Sequence, residues 1–391
     1  MPSLQVQTYT LSQGIELSFT DSGAPSDSVD YTTVVFLHGG IFNAYQFYKL
    51  HAHAHPLNLR TVFLHRRDYA GSTPYSRTEL DELEQGSVEF WERLSAQLAE
   101  FLGMFIQREK IPKLNRRKMP SPHETSYRSQ TSSVEGKGGL AIFGWSAGCA
   151  TILSVLGAAQ NPLIKEELYK DLQEYLAKCI LYDPAYFSFG YTPPDDNPNY
   201  IPWHDPAVSV EDLPLAVAEW VSSYYDHPCY DPLSQSLPST ATIYDLDGKK
   251  KKSDLMSLST WSEEDFTKGL EGPPAKGELL AFLPPMQKTL RSLSTQALFD
   301  STSVSGWFPE VEVSYIGGTR SNWVCAWTKI ETEKRYLQAR FVGDEERISR
   351  SGKWSNIRKM RFFDMDGLNH VAHWDHPREF MKVISECVRC T

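Results

Sequence analysis

The stretch Leu140-Ala141-Ile142-Phe143-Gly144-Trp145-Ser146-Ala147-Gly148 constrains the whole chain more than any other. It begins as an apolar run of the length of a buried strand and then reads Gly-x-Ser-x-Gly. Ile152, Leu153, Val155 and Leu156 follow at helical spacing. Strand, tight turn and helix are the context in which this motif carries chemistry, with the serine hydroxyl exposed on a strained turn. Glycine suits positions 144 and 148 because a side chain at either collides with the neighbouring strand or helix. The helix behind the turn aims its N-terminal amides at any negative charge that develops there. Ser146 is the candidate nucleophile.

A serine hydroxyl is a weak nucleophile at neutral pH, so the rest of the machinery is sought elsewhere in the chain. Val34-Val35-Phe36-Leu37 reads as a buried strand and runs into His38-Gly39-Gly40. Glycines at such a strand end let backbone amides turn toward a substrate oxygen. Each such donor lowers the barrier by roughly 2.7–4 kcal/mol. The expected oxyanion donors are the amides of Gly40 and of Ala147, the residue after the nucleophile. The base is expected in the loop after the last strand, Lys359–Phe363, where Asp366-Gly367-Leu368-Asn369-His370 stands. His370 is the candidate, with His373 and His376 as rivals. No metal is expected, either there or at His51, His53 and His55, because no carboxylate or cysteine accompanies either group at a ligand spacing.

The remaining sequence supplies a frame for these pieces. A hairpin is expected over 5–20, turning near Gly14, and further strands at Thr61–Leu64, Cys179–Tyr182 and Val311–Ile316. Helices are expected over 43–53, 88–106, 163–177 and 376–389. Residues 107–138 are rich in Lys, Arg, Ser, Pro and Thr and read as a solvated insertion. From about 186 to 285 the alternation of strand and helix stops. That segment holds Trp203, Trp220, Tyr224, Tyr225 and Trp261, as expected of a lid over the serine, together with the exposed run Lys249–Lys252. The expected division is a core of 1–185 and 286–391, an insertion at 107–138 and a lid at 186–285.

The 391 residues are 41% hydrophobic and 23% charged, which is the composition of a globular chain. A net charge of −10 argues against a nucleic-acid partner. No apolar run approaches the ~18 residues of a membrane span. The N-terminal Met1-Pro2-Ser3-Leu4-Gln5 lacks the features of a secretory signal. The scattered cysteines are therefore read as reduced thiols in a cytoplasmic protein, and Cys387-x-x-Cys390 has no second pair with which to bind metal.

The combination of Gly144-Trp145-Ser146-Ala147-Gly148, His38-Gly39-Gly40 and Gly367-Leu368-Asn369-His370 resembles the α/β-hydrolase superfamily over residues 5–106, 139–185 and 305–389. The resemblance implies an α/β fold, a mostly parallel central sheet flanked by helices with an inserted lid, and triad residues in the order serine, acid, histidine. In most members the acid follows the penultimate strand. Here that place reads Ile316-Gly317-Gly318-Thr319-Arg320-Ser321-Asn322, without a carboxylate. Some members carry the acid after the strand that follows the elbow helix, where this chain has Asp183. Asp183 is the preferred acid, ahead of Glu310, Asp364 and Asp366.

The resulting expectation is a serine hydrolase that cleaves an apolar carboxylic ester or lactone through an acyl-enzyme and needs no cofactor. Serine at the elbow argues against the aspartate chemistry of epoxide hydrolases and dehalogenases. The same residues also suit a non-hydrolytic enzyme, whether acyltransferase, carbon–carbon lyase or cyclase. A catalytically silent binding protein is the remaining class.

Overall fold

The computed structural model describes residues 5–115, 138–158, 161–249, 251–272, 275–349 and 357–389. The apolar runs become an eight-stranded sheet. Its strands are β1 (Gln7–Thr10), β2 (Glu16–Asp21), β3 (Thr32–Leu37), β4 (Leu59–Leu64), β5 (Leu140–Trp145), β6 (Leu176–Tyr182), β7 (Glu312–Gly318) and β8 (Met360–Met365). They lie in the order β1-β2-β4-β3-β5-β6-β7-β8. The β1–β2 and β2–β4 pairs are antiparallel, and every other pair is parallel.

A parallel sheet buries both faces, which is why β3 and β5 are apolar almost throughout. Val35 and Leu37 of β3 point into one core, beside Phe101, Phe105, Ile152 and Trp323. Val34 and Phe36 point into the other, beside Phe47, Leu50, Phe380 and Ile384. Helix Val88–Glu109 and the elbow helix Gly148–Gly157 cover the first face, and helix Pro377–Arg389 covers the second.

The registers fix where chemistry can sit. Leu37 of β3 pairs with Gly144 of β5, Gly144 with Leu181 of β6, and Tyr182 with Ile316 of β7. The carboxyl ends of these strands therefore share one edge. Winding reverses between β3 and β5, and the crevice at such a switch point is where open α/β sheets bind ligands. Between β6 and β7 the described residues add no strand to the sheet. Among them the helices Leu213–Ser222 and Ala275–Phe282 roof this edge, and Pro284–Leu298 packs into the core.

Several local expectations need correction. The helix expected over 163–177 is only Glu166–Gln173, because Leu176 and Ala177 already belong to β6. Residues 43–53 form mostly a 3-10 helix, Ala44–Leu50, entered through an Asn43 cap that accepts from the Tyr45 amide. Of the insertion expected at 107–138, residues up to Glu109 complete the long helix, Leu114 hydrogen-bonds Glu174, and 116–137 lie outside the described residues. Lys250 and Cys390 also lie outside them. Several helices are additional to the expectations, the longest of them Arg77–Gln85, Pro284–Leu298 and Trp323–Ser349. Among the described residues no helix is long and apolar enough to cross a membrane.

Candidate active site

Ser146 sits at φ 53°, in the left-handed region that strains a residue with a side chain. Its amide donates to Tyr182 O on β6 (2.9 Å), and its carbonyl accepts from the Cys149 amide (3.1 Å). The turn is thus tied to the neighbouring strand on one side and to its own helix on the other. It closes only on glycines. A Cβ at Gly144 would stand 2.8 Å from the Gly148 carbonyl group, and one at Gly148 would stand 2.6 Å from Leu37 O. These are backbone atoms, which cannot swing aside.

At the end of β3, His38 is fully buried. Its Nε2 accepts from the Arg66 amide (3.0 Å), so Nδ1 carries the proton and donates to Gly39 O (2.9 Å). Burial, with Arg66 and His65 adding to it, holds the His38 pKa well below the usual histidine value. The neutral ring acts as a brace for the Gly39-Gly40 turn. Among the described residues neither the Gly40 amide nor the Ala147 amide donates to protein. Gly40 and Ala147 both border the same cavity as Ser146.

Asp183 and His370 meet across 187 residues of sequence, with His370 Nδ1 3.1 Å from Asp183 Oδ2. Both side chains are almost completely buried. Asp183 is itself in the left-handed region, at φ 48°. The loop after β7, which lacks a carboxylate, supplies donors instead. The Gly318 amide reaches Asp183 Oδ1 (3.2 Å), and the Ser321 hydroxyl donates to Oδ2. Sequence reasoning missed Gly318 and Ser321. The missing carboxylate in 316–322 was the available signal, since an acid moved to β6 leaves its old place free to donate to it.

The histidine loop is clamped from several sides. The His370 carbonyl accepts from Trp145 Nε1 (2.9 Å) and from the Tyr182 hydroxyl (3.0 Å). The Asn369 amide group donates to Ser222 O and Ser257 Oγ, both in the roof. The rival histidines are placed elsewhere. His373 is buried in the core against Trp145 and Phe47, and burial, with His370 and Lys49 adding to it, holds its pKa well below the usual value. His376 is exposed. Of the rival acids, Glu310 is exposed, Asp364 pairs with Lys329, and Asp366 accepts from Tyr230 and Gln235.

Ser146 and His370 both line a cavity of about 210 Å³. No hydrogen bond joins the two side chains among the described residues. The cavity wall is built by Trp203, Leu213, Val217, Trp220, Leu279 and Phe282 from the roof, so it is largely apolar. Two further polar groups enter it. Glu278, from the roof helix Ala275–Phe282, pairs with Arg66 and lies against Gly40, where a Cβ would come within 2.5 Å of Oε2. Cys325 stands in the first turn of Trp323–Ser349, its Sγ 3.5 Å from His370 Nδ1. Burial first, and Asp183 second, raise the Cys325 thiol well above its ordinary value, so it remains a thiol at neutral pH and is a poor nucleophile.

The strand order, the single antiparallel strand β2 and the serine turn at the end of β5 together decide the architecture. This is the α/β-hydrolase fold. No protein-family model and no curated protein matches the chain. Solved structures are similar at low identity. Epoxide hydrolase A from Mycobacterium thermoresistibile is 13% identical, with a TM-score of 0.49, covering 99% of this chain and 98% of its own. An epoxide hydrolase from Vigna radiata is 12% identical, with a TM-score of 0.47, covering 99% and 98%. A bromoperoxidase from Bacillus anthracis is 10% identical, with a TM-score of 0.45, covering 98% and 99%. A fold of this kind hosts many chemistries, and the residues at the sheet edge decide among them.

Proposed function

We propose that the protein is a serine hydrolase acting on an apolar carboxylic ester or lactone. Ser146 attacks the carbonyl carbon while His370 Nε2 takes its proton. Asp183 holds the Nδ1–H tautomer and stabilises the imidazolium that forms. The amides of Gly40 and Ala147 receive the oxyanion. His370 returns the proton to the leaving oxygen, and water, activated by the same histidine, releases the acid. The observation that carries this reading is the buried His370–Asp183 pair, which opens onto the same cavity as the left-handed Ser146. The apolar wall supports an apolar acyl or alcohol group, since burying such a group contributes about 25 cal/mol per Å².

A fluorophosphonate probe followed by peptide mass spectrometry tests it. The expected adduct is on Ser146, absent in Ser146→Ala and slowed at least a hundredfold in His370→Ala. A folded protein that takes up no probe at Ser146 overturns the reading.

A further inference from the structure

We propose that Asp183, Cys325 and His370 form an inhibitory binding site for a thiophilic divalent cation such as Zn²⁺. The binding is independent of the hydrolase reading; its effect on activity rests on that reading.

The three side chains come from three separate segments: the loop after β6, the first turn of the helix Trp323–Ser349 after β7, and the loop after β8. Their ligand atoms all lie within 4.8 Å of one another. His370 Nδ1 is 3.1 Å from Asp183 Oδ2 and 3.5 Å from Cys325 Sγ. In a tetrahedral zinc site, bonds of about 2.0–2.3 Å place neighbouring donors roughly 3.3–3.6 Å apart. The cluster therefore needs shifts of a few tenths of an ångström at these two edges, and the Asp183–Cys325 edge, bounded at 4.8 Å, closes by up to roughly an ångström. Sulfur, nitrogen and oxygen donors together suit zinc better than magnesium or calcium. Cys325 and His370 border the cavity, which offers the ion a way in and leaves a position for water as fourth ligand.

The proton balance explains the inhibition. Cys325 gives its proton to solvent on binding. The imidazole proton moves from Nδ1 to Nε2, so that the Nδ1 lone pair faces the metal. No electron transfer occurs. Nε2 then bears a hydrogen and cannot accept one from Ser146. Asp183 keeps the Gly318 amide and Ser321 hydroxyl as donors, so its carboxylate remains oriented.

The test titrates the full chain with Co²⁺ in place of Zn²⁺ and follows absorption. The expected result is one equivalent of a four-coordinate cobalt spectrum with a thiolate-to-cobalt charge-transfer band, displaced by Zn²⁺. That band is lost in Cys325→Ser and kept in Cys229→Ser, the control for the only half-exposed cysteine among the described residues. Zinc binding weakens at least tenfold in Cys325→Ser and Cys325→Ala, with folding checked by circular dichroism. In parallel, Zn²⁺ slows fluorophosphonate labelling of the wild type, chelator restores it, and each variant is compared with its own metal-free rate. A wild-type spectrum without a thiolate band, or Cys325 variants that bind zinc as tightly as the wild type, overturns the proposal. A thiolate band in a protein that the probe does not label upholds the site and overturns the triad instead.

Discussion

At the scale of single residues, the acid is the point at which this chain departs from the commoner arrangement. Asp183 is buried and bound by an imidazole, an amide and a hydroxyl, all donating to it. Replacing it by asparagine keeps the shape but presents an N–H where Nδ1–H must donate, which favours the wrong histidine tautomer. Asp183→Asn is expected to lower kcat by about 10³–10⁴-fold with little change in KM. Ser321→Ala removes one charge-assisted hydrogen bond and leaves the carboxylate in place, so a fall of about tenfold is expected. Equal losses in the two variants, measured on one ester, would count against Asp183 as the orienting group. Glu278 gives a prediction of the opposite sign. Its carboxylate lies against Gly40, beside the proposed oxyanion donors, and Arg66 neutralises it. Two unit charges 4 Å apart interact by about 4 kcal/mol at an effective dielectric of 20, so even a partly cancelled carboxylate opposes the developing oxyanion. Glu278→Gln preserves the volume and leaves the Arg66 charge unopposed. The expected outcome is a rise of about tenfold in kcat/KM for a small neutral ester, and an unchanged or lower value would sink the argument.

At the scale of elements, the elbow and the β3 loop behave as one piece. The Gly148 backbone packs on the carbonyl oxygens of Leu37 and His38. Gly148→Ala therefore pushes directly on the strand end that carries Gly39 and Gly40. Overpacking of this kind costs about 1–3 kcal/mol, and here it also displaces the proposed oxyanion donors. Thermal unfolding should fall accordingly, and fluorophosphonate labelling should slow by more than the loss of stability accounts for. Elements were legible in the sequence where a single period dominates. The runs at 34–37, 61–64 and 140–145 became β3, β4 and β5, and Val88 to Phe105 became a helix. Trp323, Trp327 and Ile330 carry the helical spacing at the start of Trp323–Ser349, yet the charged residues that follow obscured it. Arg77–Gln85 announces itself chiefly by its Ser76–Glu79 capping box, a signal carried by the Ser-x-x-Glu spacing more clearly than by hydrophobicity.

At the scale of the whole molecule, what the sequence could not show is what crosses between distant segments. Arg358 is buried and donates to the carbonyls of Ala297, Trp307, Phe308 and Val311, partners that its local sequence does not indicate. Burial lowers its pKa to about 10, so it remains charged at neutral pH. Asp375 likewise accepts from Tyr224 and Ser257 of the roof, a link that no local pattern reveals. The same long-range burial makes the molecule sensitive to acid through its histidines. His38, His51, His65, His227 and His373 are all held below the ordinary value, chiefly by burial. For His51 the value falls to about 3. Its ring is stacked 3.7 Å from Phe63, and its nitrogens are engaged by Thr61 and Thr20. In the unfolded chain each of these histidines takes up a proton near pH 6.5, whereas the folded His51 does so only near 3. Between those limits the unfolded state binds more protons, so stability is complete above about pH 6.5 and declines as the pH falls toward 3. Each fully neutral histidine contributes a slope of up to about 1.4 kcal/mol per pH unit in that window. Between pH 6.5 and 5 carboxylates of ordinary pKa contribute little, so the urea midpoint there reports mainly the histidines. The midpoint should fall steeply in the wild type and less steeply in His51→Gln, the unfolding free-energy slopes differing by up to about 1.4 kcal/mol per pH unit. A midpoint that stays level from pH 6.5 to 5 would mean that these histidines are protonated in the folded protein, and the braced, neutral His38 beside Gly39 would have to be abandoned with them.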